Sequence, residues 1–388
     1  MALNPLRPSA AAARNITLLL RHAPRRTTTQ LDRVRQHSSS ASSVSSDEIT
    51  HFSSLASSWW DPLGPSRILH LMNPLRHEFI ASCIAESNPR SAASSSSSSS
   101  NPHNKGDENT NTNTATPPGL RYLDIGCGGG IFAESLARTI PPSPSPNPNA
   151  SHQSTTTSTS TSTGTCATAS NLSPVTQASS ILAIDPSPVM IKIATAHARA
   201  DPLVYSHLQS GAFKYQNTSL EALLQNRPPS SPPSSSSPPP PSSPSAPPPP
   251  PQPFDIITLF EVLEHVNPQT SSPRSFLKQC LRLLQPGGWL VGSTIARTVP
   301  SYIVNQVIAE APWPIGVVPR GTHEWGKFVN DGELRGWVGE GLREIDGVGD
   351  GAVRWKCVGA MYFPGLGWKM IPGTEKLGNY FWAVQRGF

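Results

Sequence analysis

The sequence predicts an α/β fold, a largely parallel sheet covered on both faces by helices. Three observations predict it. Apolar runs of strand length alternate with helix-length stretches between residues 119 and 294. The run 254–260 (FDIITLF) is apolar enough for a strand buried on both sides. A bend with glycine at 126, 128, 129 and 130 joins the first strand directly to a helix.

Residues 47–90 open the folded part. Phe52, Leu55, Trp59, Trp60, Ile68, Leu69, Leu71, Met72, Leu75, Phe79 and Ile80 form an apolar, mostly helical block that Pro62, Pro65 and Pro74 interrupt. The tryptophans read as part of a helix covering the sheet. Arg76 reads either as a surface charge or as a group that closes over a ligand carboxylate. Strand one, 122–125, carries a single acid, Asp124, and Ile131, Leu136 and Ala137 give the next helix its apolar spacing. Strand two ends on Asp185, followed by a helix over 187–200, strand three at 213–216 and a short helix at 220–223. Strand four is 254–260. The helix 275–284 stops at Pro286-Gly287-Gly288, and strand five follows over 289–294. A helix near 331–338 precedes a tail, 352–385, that reads as two further, antiparallel strands.

Three tracts rich in Ser, Thr, Asn and Pro, near 91–117, 141–178 and 227–252, lack the apolar surface to offset ordering entropy. They are expected to be disordered insertions in loops. Deleting 141–177 reduces the separation of Gly128 and Asp185 from 57 residues to 20, the distance at which an acid closes strand two in nucleoside-binding units.

Composition sets further bounds. Residues 1–46 contain seven arginines, no lysine and one acid, Asp32, among many Ser and Ala, which is the make-up of a mitochondrial transit peptide. A basic arm for nucleic acid is the competing reading. The apolar patch at 16–20 is far too short to span a bilayer. Without this segment the net charge falls from +5 to −1 (seven Arg and one Asp removed), so the domain expected over 47–388 presents no nucleic-acid surface. Five cysteines, at 83, 127, 166, 280 and 357, include no C-x-x-C pair and suit a reducing compartment. Cys127 reads as a small apolar filler.

The glycine bend lets backbone N–H groups and a helix N-terminus approach a ligand. A dinucleotide fingerprint would place glycine where Ile131 stands. Asp124, two residues before Gly126, is placed to meet a cationic amine, so a ligand with an α-amino group and no pyrophosphate fits better than a dinucleotide. S-adenosylmethionine is such a ligand. Asp185 is expected to accept from ribose hydroxyls, the alternative being an N-cap for the following helix. After strand four comes Glu261-Val262-Leu263-Glu264-His265. In a helix, Glu261, Glu264 and His265 would share one face and could hold a divalent metal, zinc or manganese accepting the histidine more readily than magnesium. Alternatively, His265 serves as a general base, or the three are ordinary capping, solvated and packed residues. The apolar stretch 302–318, broken by Pro312 and Pro314, reads as an interfacial segment, an entry for a greasy substrate, or core.

Trp59-Trp60-Asp61-Pro62, Leu69-His70, Asn73-Pro74-Leu75-Arg76, the bend 123–130, Glu261 to Val266, and Pro319-Arg320-Gly321-Thr322-His323 with Lys327-Phe328 together resemble the ubiquinone-biosynthesis O-methyltransferases. The resemblance covers about 52–90, 119–140, 180–224 and 253–386. It implies a seven-stranded class I methyltransferase (Rossmann-like) sheet, and methylation of 3,4-dihydroxy-5-polyprenylbenzoate and of demethylubiquinol. By position, it puts Arg76, Gly126, Asp185 and Phe260 at cofactor contacts, Phe260 as an apolar wall to the adenosine. It puts Glu261, Glu264 and His265 at magnesium positions. It also implies a peripheral place on the matrix face of the mitochondrial inner membrane, in a complex with other coenzyme Q biosynthesis proteins. Two rivals stay open on the residues: a methyltransferase of another phenolic acceptor or RNA, and a non-catalytic scaffold.

Overall fold

The computed structural model describes residues 43–87, 119–141, 176–225 and 253–387, apart from 269, 313–315, 317 and 348–352. The expected transit segment up to residue 42 and most of the three low-complexity tracts lie outside the described residues. Ser43 to Ser46, the end of the expected transit segment, are described: Ser43 is buried and its carbonyl accepts from Asn267 N–H.

Five strands, β1 (Leu120–Ile125), β2 (Ala178–Asp185), β3 (Phe213–Asn217), β4 (Phe254–Phe260) and β5 (Leu284–Ile295), pair in parallel. Three more, β6 (Arg354–Phe363), β7 (Gly367–Ile371) and β8 (Asn379–Gln385), add antiparallel pairings. The sheet order is β3-β2-β1-β4-β5-β8-β6-β7. β1 therefore sits where the strand order reverses, and the carboxyl ends of β1, β2 and β4 open onto one crevice.

The sheet has eight strands, one more than the resemblance implied, and the tail supplies three strands instead of two. Gly365 and Gly367 both take left-handed φ (82° and 76°), which lets the chain fold back after β6 and lay β7 along its edge. β8 lies between β5 and β6, and all seven of its residues are buried.

Nine described helices flank the strands: α1 (Ser46–Ser54), α2 (Arg67–Ser87), α3 (Ile131–Ala137), α4 (Pro188–Ala198), α5 (Pro202–Ser210), α6 (Leu220–Gln225), α7 (Pro273–Leu283), α8 (Val299–Tyr302) and α9 (Asp331–Asp346). α8 runs on as a π-helical segment, Ile303–Ile308. Helix α5 was not expected, although Asp201 caps it, Pro202 starts it and Gly211 ends it in the left-handed conformation. Pro74 was expected to interrupt its helix, yet α2 runs through it. Its first turn is tied down by side-chain donors: Trp368 Nε1–H donates to the Ile68 carbonyl and Arg76 to that of Leu69.

Neighbouring strand residues point to opposite faces, so each face has its own core. One gathers Phe79, Tyr122, Phe132, Leu136, Phe213 and Phe381; the other gathers Leu123, Ile257, Leu259, Phe276, Leu281 and Trp382. Burial of each such side chain contributes roughly 1.5–3 kcal/mol. This is what holds the strand ends in place around the crevice.

Candidate active site

The bend 126–130 forms the floor of the crevice. Gly126 has φ +71°, and a Cβ there would stand 2.8 Å from Val262 Cγ2, so only glycine fits. Asp185 ties the bend to β2: its Oδ2 accepts from Gly128 N–H at 2.9 Å and its Oδ1 from Ser187 N–H at 2.8 Å. The cap of α4 is the Ser187 hydroxyl, which accepts from Met190 N–H. Asp185 is thus not the helix cap. Each of its oxygens keeps a lone pair for a further donor. Burial raises its pKa, against the pull of those two backbone donors.

Asp124 and Arg76 face each other across the pocket's polar end. Asp124 is buried; its Oδ1 accepts from Thr258 Oγ1–H at 2.7 Å, while its Oδ2 has no partner among the described residues. Burial lifts its pKa to about 7, against the opposing effects of Thr258 and Arg76. Arg76 is no surface charge but a buried guanidinium 3% exposed. Its Nη1 donates to Asn73 Oδ1 at 2.9 Å, and its Nε has no partner among the described residues. The guanidinium lies over Phe260 (5.1 Å) and Phe132 (5.9 Å). Burial lowers its pKa to about 10 despite Glu261 and Asp124. A buried carboxylate oxygen and a buried guanidinium N–H, both unpaired, are complementary to the ammonium and carboxylate of an amino-acid ligand.

Sequence reasoning expected Glu261, Glu264 and His265 on one helical face. The chain instead turns sharply. Glu261 sits in the left-handed region at φ 56°, and Leu263–His265 form a 3₁₀ turn, so the three do not share a helical face. Glu261 accepts from Ser293 Oγ–H at 2.6 Å and from Asn379 Nδ2 at 3.4 Å. Glu264 is buried, and its Oε2 accepts from Thr294 Oγ1–H at 2.9 Å. Burial and the charge of Glu261, to which it is hydrogen-bonded, push its pKa well above the usual carboxylate range. His265 turns away, its Nδ1 lying 3.2 Å from Glu48 Oε2. No group of three or more His, Cys, Asp or Glu among the described residues is placed to hold a metal. The trio does not fit a magnesium ion in this arrangement.

The other wall comes from α1, which sequence reasoning did not connect with the site. Glu48 and Phe52, one helical turn apart, both reach His265; the Phe52 ring meets the imidazole edge-to-face at 4.8 Å. Lys327 Nζ donates to Glu48 Oε1 at 2.9 Å. Burial alone would raise the Glu48 pKa, but His265 and Lys327 outweigh it and hold the group at about 2. Glu48 is therefore ionised, and His265 Nδ1 must donate to it. The tryptophans cover the glycine bend, not the sheet: a Cβ on Gly129 would collide with the Trp59 indole, and Trp60 Nε1–H donates to Gly129 O at 2.9 Å. Trp60 also stacks on His197 at 3.5 Å. The i, i+4 pairing of Glu48 with Phe52 was visible in the sequence; that its face meets His265 was not. Cys127 lies in the lining, and burial raises its thiol pKa, as suits an inert filler.

A model of the methyltransferase domain matches residues 103–340. The chain belongs to the methyltransferase-domain family. Among curated relatives of this methyltransferase, "Ubiquinone biosynthesis O-methyltransferase, mitochondrial" of Candida albicans is 29% identical over 357 residues, covering 89% of this chain and 86% of the relative. The protein of the same name from Schizosaccharomyces pombe is 28% identical, covering 89% and 87%. A bacterial relative, "Ubiquinone biosynthesis O-methyltransferase" of Cereibacter sphaeroides strain KD131, is 28% identical over 312 residues, covering 80% and 87%. The amino-acid ligand that sequence reasoning pointed to is S-adenosylmethionine. The unpaired Asp124 and Arg76 atoms and the bend fit its amino-acid end, and Asp185 fits its ribose.

Proposed function

We propose that this methyltransferase transfers a methyl group from S-adenosylmethionine to a ring hydroxyl of polyprenylated phenols in ubiquinone biosynthesis. Its acceptors are 3,4-dihydroxy-5-polyprenylbenzoate and demethylubiquinol. The names and coverage of the relatives support the pathway. The observation that carries the chemistry is the pairing of two unsatisfied buried charges, Asp124 and Arg76, with an imidazole on the opposite wall of one cavity.

When bound, S-adenosylmethionine supplies an electrophilic methyl: its sulfur–carbon bond breaks as the bond to the ring oxygen forms. Arg76 holds the donor's carboxylate, Asp124 its ammonium and Asp185 its ribose hydroxyls. Gly126 and Gly128 keep the floor open, and Phe260 backs Arg76 with an apolar wall. A phenol with a pKa of about 10 is mostly protonated at neutral pH. His265, its Nδ1–H donated to Glu48, keeps Nε2 free to take the phenolic proton and pass it to solvent. The buried aromatic walls exclude water and fix the approach.

The mitochondrial relatives and the arginine-rich first residues support a mitochondrial location. Peripheral contact with the matrix face of the inner membrane, beside other coenzyme Q biosynthesis proteins, agrees with exposed apolar side chains on α8 and the π segment: Val299, Tyr302, Ile303, Val304, Val307 and Ile308. No helix among the described residues is long and apolar enough to cross a membrane.

Two substitutions test the assignment. Asp185→Ala should weaken S-adenosylmethionine binding in calorimetry. His265→Ala should spare that affinity and cut kcat by about 10²–10⁴ on a short-chain prenylated catechol acid. Equal loss of donor affinity in both variants would remove the division of roles.

A further inference from the structure

A second histidine shares the cavity with His265. His323 lies in the loop after the π segment, and nearly every polar atom it has is committed. Its backbone N–H donates to Glu310 Oε1 at 2.7 Å, its carbonyl accepts from Gln306 Nε2 at 2.6 Å, and its Nδ1 lies 3.1 Å from Glu310 Oε1. Glu310 also accepts from Gly321 N–H at 2.7 Å. The carboxylate stands behind the ring, 8% exposed and outside the cavity lining, and receives three N–H groups. Nδ1 is thereby the donor, and Nε2 is the one polar atom of His323 with no partner among the described residues.

His265 and His323 thus repeat one device. Each is an imidazole on the cavity wall whose Nδ1–H is held by a carboxylate, Glu48 of α1 for one and Glu310, in the turn after the π segment, for the other. With Nδ1 the donor, Nε2 is the acceptor in the neutral form of each ring. Burial lowers the His323 pKa, against the pull of Glu310 and Glu261. Two such nitrogens lining one cavity suit a ring with two adjacent O–H donors.

Resting on the function proposed above, we infer that His323, oriented by Glu310, accepts a hydrogen bond from the hydroxyl adjacent to the one being methylated, and so selects ortho-dihydroxy rings. An acceptor whose neighbouring position carries hydrogen or a quinone carbonyl has no donor to offer and leaves this nitrogen unsatisfied. His323 is then a specificity residue and Glu310 its positioning residue.

The test compares a short-chain prenylated 3,4-dihydroxybenzoate with its analogue lacking the neighbouring hydroxyl, in the full-length protein. An analogue too slow to time is read by its Ki as a competitor. The wild type should favour the dihydroxy ring, and His323→Phe should reduce that preference by about tenfold or more, the value of one hydrogen bond. Glu310→Gln should reduce it in the same direction by a smaller factor, with donor affinity by calorimetry unchanged in both variants. His323→Gln, which keeps an amide at the site, should recover part of the preference. Equal loss on both acceptors, or an unchanged preference in His323→Phe and Glu310→Gln, overturns the inference. A wild type that methylates neither ring overturns the proposed function itself, and does so before any variant is made.

Discussion

Asp124 is a carboxyl group that the free protein holds protonated below a pH of about 7, because burial outweighs its hydrogen bond from Thr258. A ligand ammonium requires the ionised form. Donor binding below that pH must therefore expel a proton, and the affinity should fall up to about tenfold for each unit of pH below 7. Calorimetry at pH 6 in buffers of different ionisation enthalpy would show the proton release; buffer-independent heats would place the ammonium elsewhere. Asp124→Asn keeps the shape and the Thr258 contact while removing the charge. It should abolish the pH dependence and weaken binding by about 1.5–3 kcal/mol, the range for a charge-assisted hydrogen bond.

Among the elements, α1 and the turn after it do most to complete the site, because the floor and the β4 turn leave one side open. Glu48 bridges His265 and Lys327, and Trp59 closes on the glycine bend. A carboxyl whose folded pKa is lowered contributes stability above its unfolded value, near 4.5, and loses it as pH falls towards 2. Glu48→Gln should cost about 1–2 kcal/mol in urea unfolding at pH 7, with a smaller difference at pH 3. An equal cost at both pH values would show that packing of the helix, not the ion pairs, carries the effect. Trp59→Ala removes a buried indole and should cost about 3–5 kcal/mol, with donor affinity lost in parallel.

For the whole molecule, the antiparallel block β6–β8 extends the sheet while the crevice stays at the carboxyl ends of β1, β2 and β4. The cavity lining includes Asn305, Ala309 and Val318, so the exposed apolar face of α8 and the π segment borders the route a prenyl chain would take. Val304 and Val307 are 44% and 52% exposed. Changing both to Glu should reduce binding to phospholipid vesicles by at least about tenfold per residue, from roughly 1.5 kcal/mol of lost burial each. Donor affinity should not change. Vesicle binding that survives both changes would put the membrane contact on another face.

The strand–helix alternation, the glycine bend and the placement of Asp124 and Asp185 were legible because each rests on local rules: apolar periodicity, glycine's access to positive φ and a fixed strand-to-acid spacing. The helical arrangement expected for Glu261, Glu264 and His265 failed for a physical reason. The helix assumed after β4 would put Glu261, Glu264 and His265 together, but Glu261 adopts a left-handed turn, and Ser293, Thr294 and Asn379, from β5 and β8, take up its carboxylate and that of Glu264. No local pattern announces a contact with strands that lie 30 and 118 residues further along.

By itself, then, the sequence determined that this chain builds a parallel α/β sheet with a glycine bend at its crevice, since those features follow from residues a few places apart. Only the tertiary structure decided which side chains face one another across the crevice. Arg76 with Asp124, Glu48 with His265, and Glu310 with His323 come from segments whose meeting depends on how helices dock on the sheet, and that is set by burial summed over the whole core.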